Sequence, residues 1–135
     1  YLASDRYHDL LYEHHRDPQN QGRMADPTVT KSSEETTCGD DGEFHLDLAP
    51  DGTIERIAFE SRSCAVSSAV ASILSERLEG RPLSWVTSLD GYVADLLDGQ
   101  YPAIRRECVE GPERVVRQAA VEYVDGSTGA RSAAD

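Results

Sequence analysis

Lysine is almost absent. Of the 13 basic residues among 135, only Lys31 is a lysine, and they face 25 aspartates and glutamates for a formal net charge of -12. A surface so acidic repels nucleic acid and anionic lipid, so neither nucleic acid nor a membrane is expected as a partner. It suits concentrated salt, where screening weakens the repulsion among carboxylates, and the composition therefore predicts a halophilic source. Long apolar runs are missing too: no stretch of 18 apolar residues offers a membrane span, and the residues from Tyr1 on do not read as a charged-then-apolar leader, so neither a span nor an export signal is expected. Cysteine is scarce, with three residues at 38, 64 and 108 and no CxxC pair. An odd, scattered set argues against a secreted disulfide framework and for a reducing cytoplasm.

What remains is an ordinary globular composition, 39% apolar and 28% charged, at a length that suits one domain with one core. The expected domain covers residues 1–125, and the small, polar residues 126–135 are expected to be a disordered tail.

The chain then divides by period. From Ser4, a cap-type residue, SDRYHDLLYEHHRDPQN spaces Tyr7, Leu10, Leu11 and His14 or His15 as a helix that stops before Pro18. Asn20 to Thr37 has no usable period and reads as a loop. Glu43 to Leu48 alternates Phe44, Leu46 and Leu48 with Glu43, His45 and Asp47, as a half-buried strand does. Pro50-Asp51-Gly52 turns the chain into a second strand, Ile54 to Ser61. Ala65 to Leu78 carries the apolar stripe of an amphipathic helix, and Gly80 with Pro82 ends it. A shorter helical region spans Leu83 to Leu97, with Trp85 expected to anchor it in the core. Gly111-Pro112-Glu113 reads as the start of the last helix. The resulting class is α+β, with helices packed on one face of a small antiparallel sheet.

In this layout Cys38 precedes the first strand and Cys64 precedes the long helix, so the hairpin between them brings both to one end of the sheet. Cys108 lies just ahead of the last helix. A cysteine at a helix start feels the positive end of the dipole, which favours the thiolate that binds metal and attacks sulfur. Asp40, two residues after Cys38, adds an oxygen donor, and three sulfurs with one oxygen can close a tetrahedral zinc or iron site. The plainer reading is that the cysteines are small buried apolar residues and the aspartates of CGDDG are turn formers. His8, His14 and His15 read as surface or capping residues of the first helix, and His45 as a residue of the strand's polar face.

TCGD at Thr37 to Asp40, SCAVSSAVAS at Ser63 to Ser72, YPAIRREC at Tyr101 to Cys108 and the H-x-x-x-P-x-N pattern within LYEHHRDPQNQG at Leu11 to Gly22 stand in one order along the chain. Together they resemble the U-type iron-sulfur cluster assembly family, which includes IscU, SufU and the N-terminal domain of NifU. The resemblance implies a three-stranded antiparallel sheet covered by helices, with a further strand between Val29 and Thr37. It implies that Cys38, Cys64 and Cys108 are the cluster or metal ligands, that Asp40 tunes the cluster or binds zinc, and that Cys38 is the persulfide acceptor. It further implies sulfur from a cysteine desulfurase, a [2Fe-2S] cluster, and recipient iron-sulfur proteins.

The chain departs from the family pattern in several places. Glu107 stands where IscU-type scaffolds have a histidine before the third cysteine, which makes Glu107 a candidate oxygen ligand. Ser63 replaces a glycine, Tyr101-Pro102-Ala103-Ile104-Arg105 replaces LPPVK, and Gly111-Pro112 is expected to interrupt the helix that follows Cys108. Three readings stand at this level: a cluster scaffold, a zinc-dependent sulfurtransferase of SufU type, and a divergent paralogue keeping only a structural Zn2+.

Overall fold

The computed structural model describes residues 7–32, 42–61 and 65–125. Its elements run α1 (Asp9–Arg16), β1 (Val29–Ser32), β2 (Gly42–Leu48), β3 (Ile54–Ser61), α2 (Ala65–Leu78), α3 (Leu83–Val86), α4 (Tyr92–Leu96), a 3-10 turn (Ala103–Arg105) and α5 (Arg106–Asp125). The strands form one antiparallel sheet in the order β1-β2-β3. β1 falls in the interval where the family resemblance requires a third strand. Residues 126–135, the expected tail, and Ser4, the expected cap, lie outside the described residues.

Cross-strand partners share a face, so the register decides what each face carries. Phe44 stands opposite Phe59 and Leu46 opposite Ile57, and all four are buried in the core beneath the helices. Lys31 stands opposite Phe44 on that same face. Its side chain is only 6% exposed, and its ammonium reaches the Glu122 carboxylate on α5 at 2.9 and 3.0 Å. The ion pair ties the edge strand to the last helix.

The spacing in α2 predicts a single apolar stripe, yet the helix is buried around most of its circumference. Val66, Ala69, Val70, Ile73, Leu74 and Leu78 are buried as expected, and Ser67, Ser72 and Ser75 are buried with them. α2 is the central helix, packed against α1, β3 and α5. At α1 the cap is His8, whose Nδ1 accepts the Leu10 amide at 2.9 Å, and the helix starts at Asp9.

The break expected at Gly111-Pro112 is not there, since α5 runs unbroken from Arg106 to Asp125 with Pro112 inside it. A proline within a helix removes one amide donor and typically costs about 3 kcal/mol. Here Val109 before the proline and Val115, Val116, Ala119 and Ala120 after it are all buried, so packing holds both halves of the helix on the core. Trp85 sits at the margin of the core, half-buried, edge-on to Tyr92 with ring centres 5.4 Å apart and beneath the Arg81 guanidinium. No helix among the described residues is long and apolar enough to cross a membrane.

Candidate functional site

Gly42 and Ser61 are cross-strand partners, so the segments entering β2 and leaving β3 join the sheet at one end. In sequence, Cys38 and Asp40 precede Gly42, and Cys64 falls between Ser61 and Ala65, where α2 begins. Cys38, Asp40 and Cys64 themselves lie outside the described residues. Glycine at 42 matters to this end of the sheet. A Cβ there would meet the Glu60 carbonyl oxygen at 3.0 Å, so only glycine lets the two strands close up without a shift.

Cys108 is the third residue of α5, half-buried at the edge of the core. A helix start carries partial positive charge that favours a thiolate, although here the 3-10 turn Ala103–Arg105 runs directly into α5 and the Arg106 amide already donates to the Ala103 carbonyl. Because Pro112 lacks an N–H, α5 cannot give the Cys108 carbonyl its usual partner four residues on.

Glu107 is adjacent but turned outward, its side chain 72% exposed, and its carboxylate is engaged by the Arg114 guanidinium. Arg114 also lies 3.9 Å from Glu110, and Glu110 accepts from Arg106 at 3.0 Å, which completes a surface ladder along the start of α5. Ligation by Glu107 would require its pair with Arg114 to open.

The H-x-x-x-P-x-N stretch performs a structural task that the sequence reading missed. His14 is buried, and its Nδ1 lies 2.7 Å from the Ser72 hydroxyl, which also accepts the Gln19 amide at 2.7 Å. Asn20 donates to Ser75 at 3.3 Å, and Ser75 donates to the Gln19 carbonyl at 3.1 Å. The turn after α1 is thereby fastened to α2, the helix that follows Cys64. Desolvation pushes the His14 pKa down, against the opposing pull of Glu76 and Glu13. The surface role expected for His14 is thus replaced by a buried one. The signal available in sequence was the pair of serines, Ser72 and Ser75, on one flank of an otherwise apolar helix.

Glu113, read only as part of a helix start, is a second buried anchor. Its carboxylate accepts the amides of Gly91 at 2.8 Å, Tyr92 at 3.2 Å and Val93 at 2.9 Å, and so caps α4 from α5. Gly91 takes a φ of +74° at that cap, a conformation glycine adopts at little cost.

A family model described as the NifU-like N-terminal domain matches residues 6–129. The chain belongs to that family. Among NifU-like relatives, the zinc-dependent sulfurtransferase SufU of Bacillus subtilis is 28% identical over 95 residues, covering 70% of this chain and 63% of that protein. The iron-sulfur cluster assembly scaffold protein IscU of Thermotoga maritima is 28% identical over 83 residues, covering 62% of this chain and 58% of that protein. The match thus spans less than two thirds of either relative's length. In fold, the NifU-like N-terminal protein of Brucella abortus superposes with a TM-score of 0.63 at 17% identity, over 89% of this chain and 94% of that one. The α+β architecture expected from sequence, three antiparallel strands beneath helices, is the architecture of this NifU-like fold.

Proposed function

We propose that this chain is an iron-sulfur cluster assembly scaffold, which takes sulfur from a cysteine desulfurase, receives iron, builds a [2Fe-2S] cluster and passes it to recipient proteins. The observation that carries the reading is the position of Cys108: half-buried in the first turn of α5, in a member of the NifU-like family whose other two cysteines are carried by segments joining one end of the sheet. Cys38, Cys64 and Cys108 would supply three thiolates and Asp40 one carboxylate, a donor set whose softness suits iron or zinc.

Sulfur reaches such a site without net oxidation. The Cys38 thiolate attacks the outer sulfur of the desulfurase persulfide, a new S–S bond forms on Cys38, and the S–S bond on the desulfurase breaks to leave its cysteine as thiolate. Releasing that sulfur as the sulfide of a cluster takes two electrons per sulfur, drawn from an external thiol reductant such as excess cysteine, which is oxidised to its disulfide. The cluster is cargo here, and a mixed sulfur and oxygen ligand set holds it loosely enough to be handed on.

A second reading has a specific observation behind it, the similarity to a relative named as a zinc-dependent sulfurtransferase. In that case the same four residues would hold Zn2+, which stabilises thiolates when bound, and Cys38 would accept and pass on sulfur with no cluster built. Elemental analysis decides between them. After anaerobic incubation with ferrous iron, cysteine and a desulfurase, equal iron and acid-labile sulfide in the reisolated protein is the expected result. Retained zinc without sulfide, together with a faster desulfurase, would replace the scaffold reading with the sulfurtransferase one.

A further inference from the structure

β2 and β3 place three potential ligands together on the sheet face opposite the core. Glu43 and Glu60 are direct cross-strand partners, and His45 lies two residues along β2 from Glu43 on the same face. One ligand atom from each of the three lies within 4.8 Å of the others. Two carboxylates facing each other across a ladder repel, and a positive group between them relieves that repulsion. Arg23 partly serves, its Nε 2.8 Å from Glu60 Oε1 and its Nη2 3.5 Å from Glu43 Oε1.

His45 is the independent sign that the group is more than an acidic patch. It is 3% exposed, and neither ring nitrogen has a hydrogen-bond partner. Its Nε2 stands 3.2 Å from Glu43 Oε1. The buried Glu60 Oε1 also lacks an aligned hydrogen bond, despite the nearby guanidinium. Buried imidazoles are ordinarily hydrogen-bonded, whereas here Nδ1 has no hydrogen bond and the approach of Nε2 to Glu43 is not aligned as one, which leaves the ring's donor capacity unused beside two carboxylates.

We propose that Glu43, His45 and Glu60 form a divalent-cation site of the zinc class that uses none of the cysteines. One nitrogen and two carboxylate oxygens are a donor set that zinc accepts, with a fourth position left for water. With metal-ligand bonds of about 2.0–2.2 Å, neighbouring donors in a tetrahedral site stand about 3.4 Å apart, close to the His45 to Glu43 separation. Arg23 is the displaceable occupant. Its side chain is 64% exposed, it borders a cleft of about 390 Å³ between residues 20–26 and β3, and exposed ion pairs weaken in salt. A divalent ion would replace one positive charge with two and neutralise both carboxylates.

The test uses Zn2+ itself, titrated calorimetrically into a Cys38→Ser, Cys64→Ser, Cys108→Ser variant, so that Zn2+ binding at the cysteines does not obscure the result. One Zn2+ is expected to bind. Adding His45→Gln or Glu60→Gln is expected to weaken binding at least about tenfold, and Arg23→Ala to strengthen it. If the His45 variant does not fold, the Glu60 and Arg23 variants decide the matter. A folded cysteine-free protein that binds no Zn2+, or one whose Zn2+ affinity ignores these changes, overturns the proposal.

Discussion

His14 and Ser72, separated by 58 positions in the chain, meet at 2.7 Å in the interior between α1 and α2. The same hydroxyl accepts the Gln19 amide, so a single serine satisfies two groups of the preceding turn. Removing that hydroxyl strands both. Ser72→Ala is expected to lower stability by about 1–3 kcal/mol, because unpaired buried polar groups pay their full desolvation cost. Denaturant unfolding checks this, and an unchanged midpoint would show the contact to be incidental.

The same pair sets a pH dependence. His14 has an ordinary pKa of 6.5, which burial lowers in the folded protein. Above that value neither state holds the proton. Below it the unfolded chain binds a proton that the folded one resists, so stability falls as pH drops from neutral towards the lowered folded value. Unfolding compared at about pH 7.5 and about pH 5.5 should therefore show a smaller loss in His14→Gln than in the wild type. Equal losses in the two proteins would remove His14 from the account.

Glu113 gives the largest expected single-residue effect outside the apolar core. Its buried carboxylate holds three amides of the α4 cap, and Glu113→Ala leaves all of them without that acceptor. A loss of about 3 kcal/mol is expected, with the melting temperature down by roughly 10 °C. A shift within experimental error would mean that the α4 cap is satisfied by solvent.

The sequence reading and the structure agree best where period and punctuation coincide. β3 and α2 have the bounds read from Ile54 to Ser61 and from Ala65 to Leu78, since turn residues flank strongly periodic runs. β1 has no such pattern. Its inward position opposite Phe44 is filled by a lysine neutralised across space by Glu122, a pairing no local rule reveals. His45 stands on the strand face read for it, opposite that of Phe44 and Leu46, but its burial was not legible: alternation separates two faces of a strand, and only the folded chain shows that the second face is also covered at that point. Pro112 was read as a boundary because its local cost is real, and tertiary packing on both sides of it overrides that cost. Of the candidate site, Cys108 and Glu107 could be placed, and the structure separates them by role, with the sulfur at the core margin and the carboxylate held outward by Arg114.

The charge imbalance predicts a salt response. With 25 acidic residues against 13 basic ones, mutual repulsion should be relieved as ionic strength rises, and the melting temperature should climb from dilute buffer to molar potassium chloride. A flat profile would remove the halophilic reading of the composition.

The central claim is that Cys108 joins Cys38 and Cys64 around one cluster, and visible absorption tests it most directly. Wild type and Cys108→Ser would be incubated anaerobically, in high salt, with ferrous iron, cysteine and a cysteine desulfurase. The account predicts thiolate-to-iron absorption bands in the wild type that the serine variant loses while remaining folded. Bands of equal intensity in both proteins, or none in either, would contradict it.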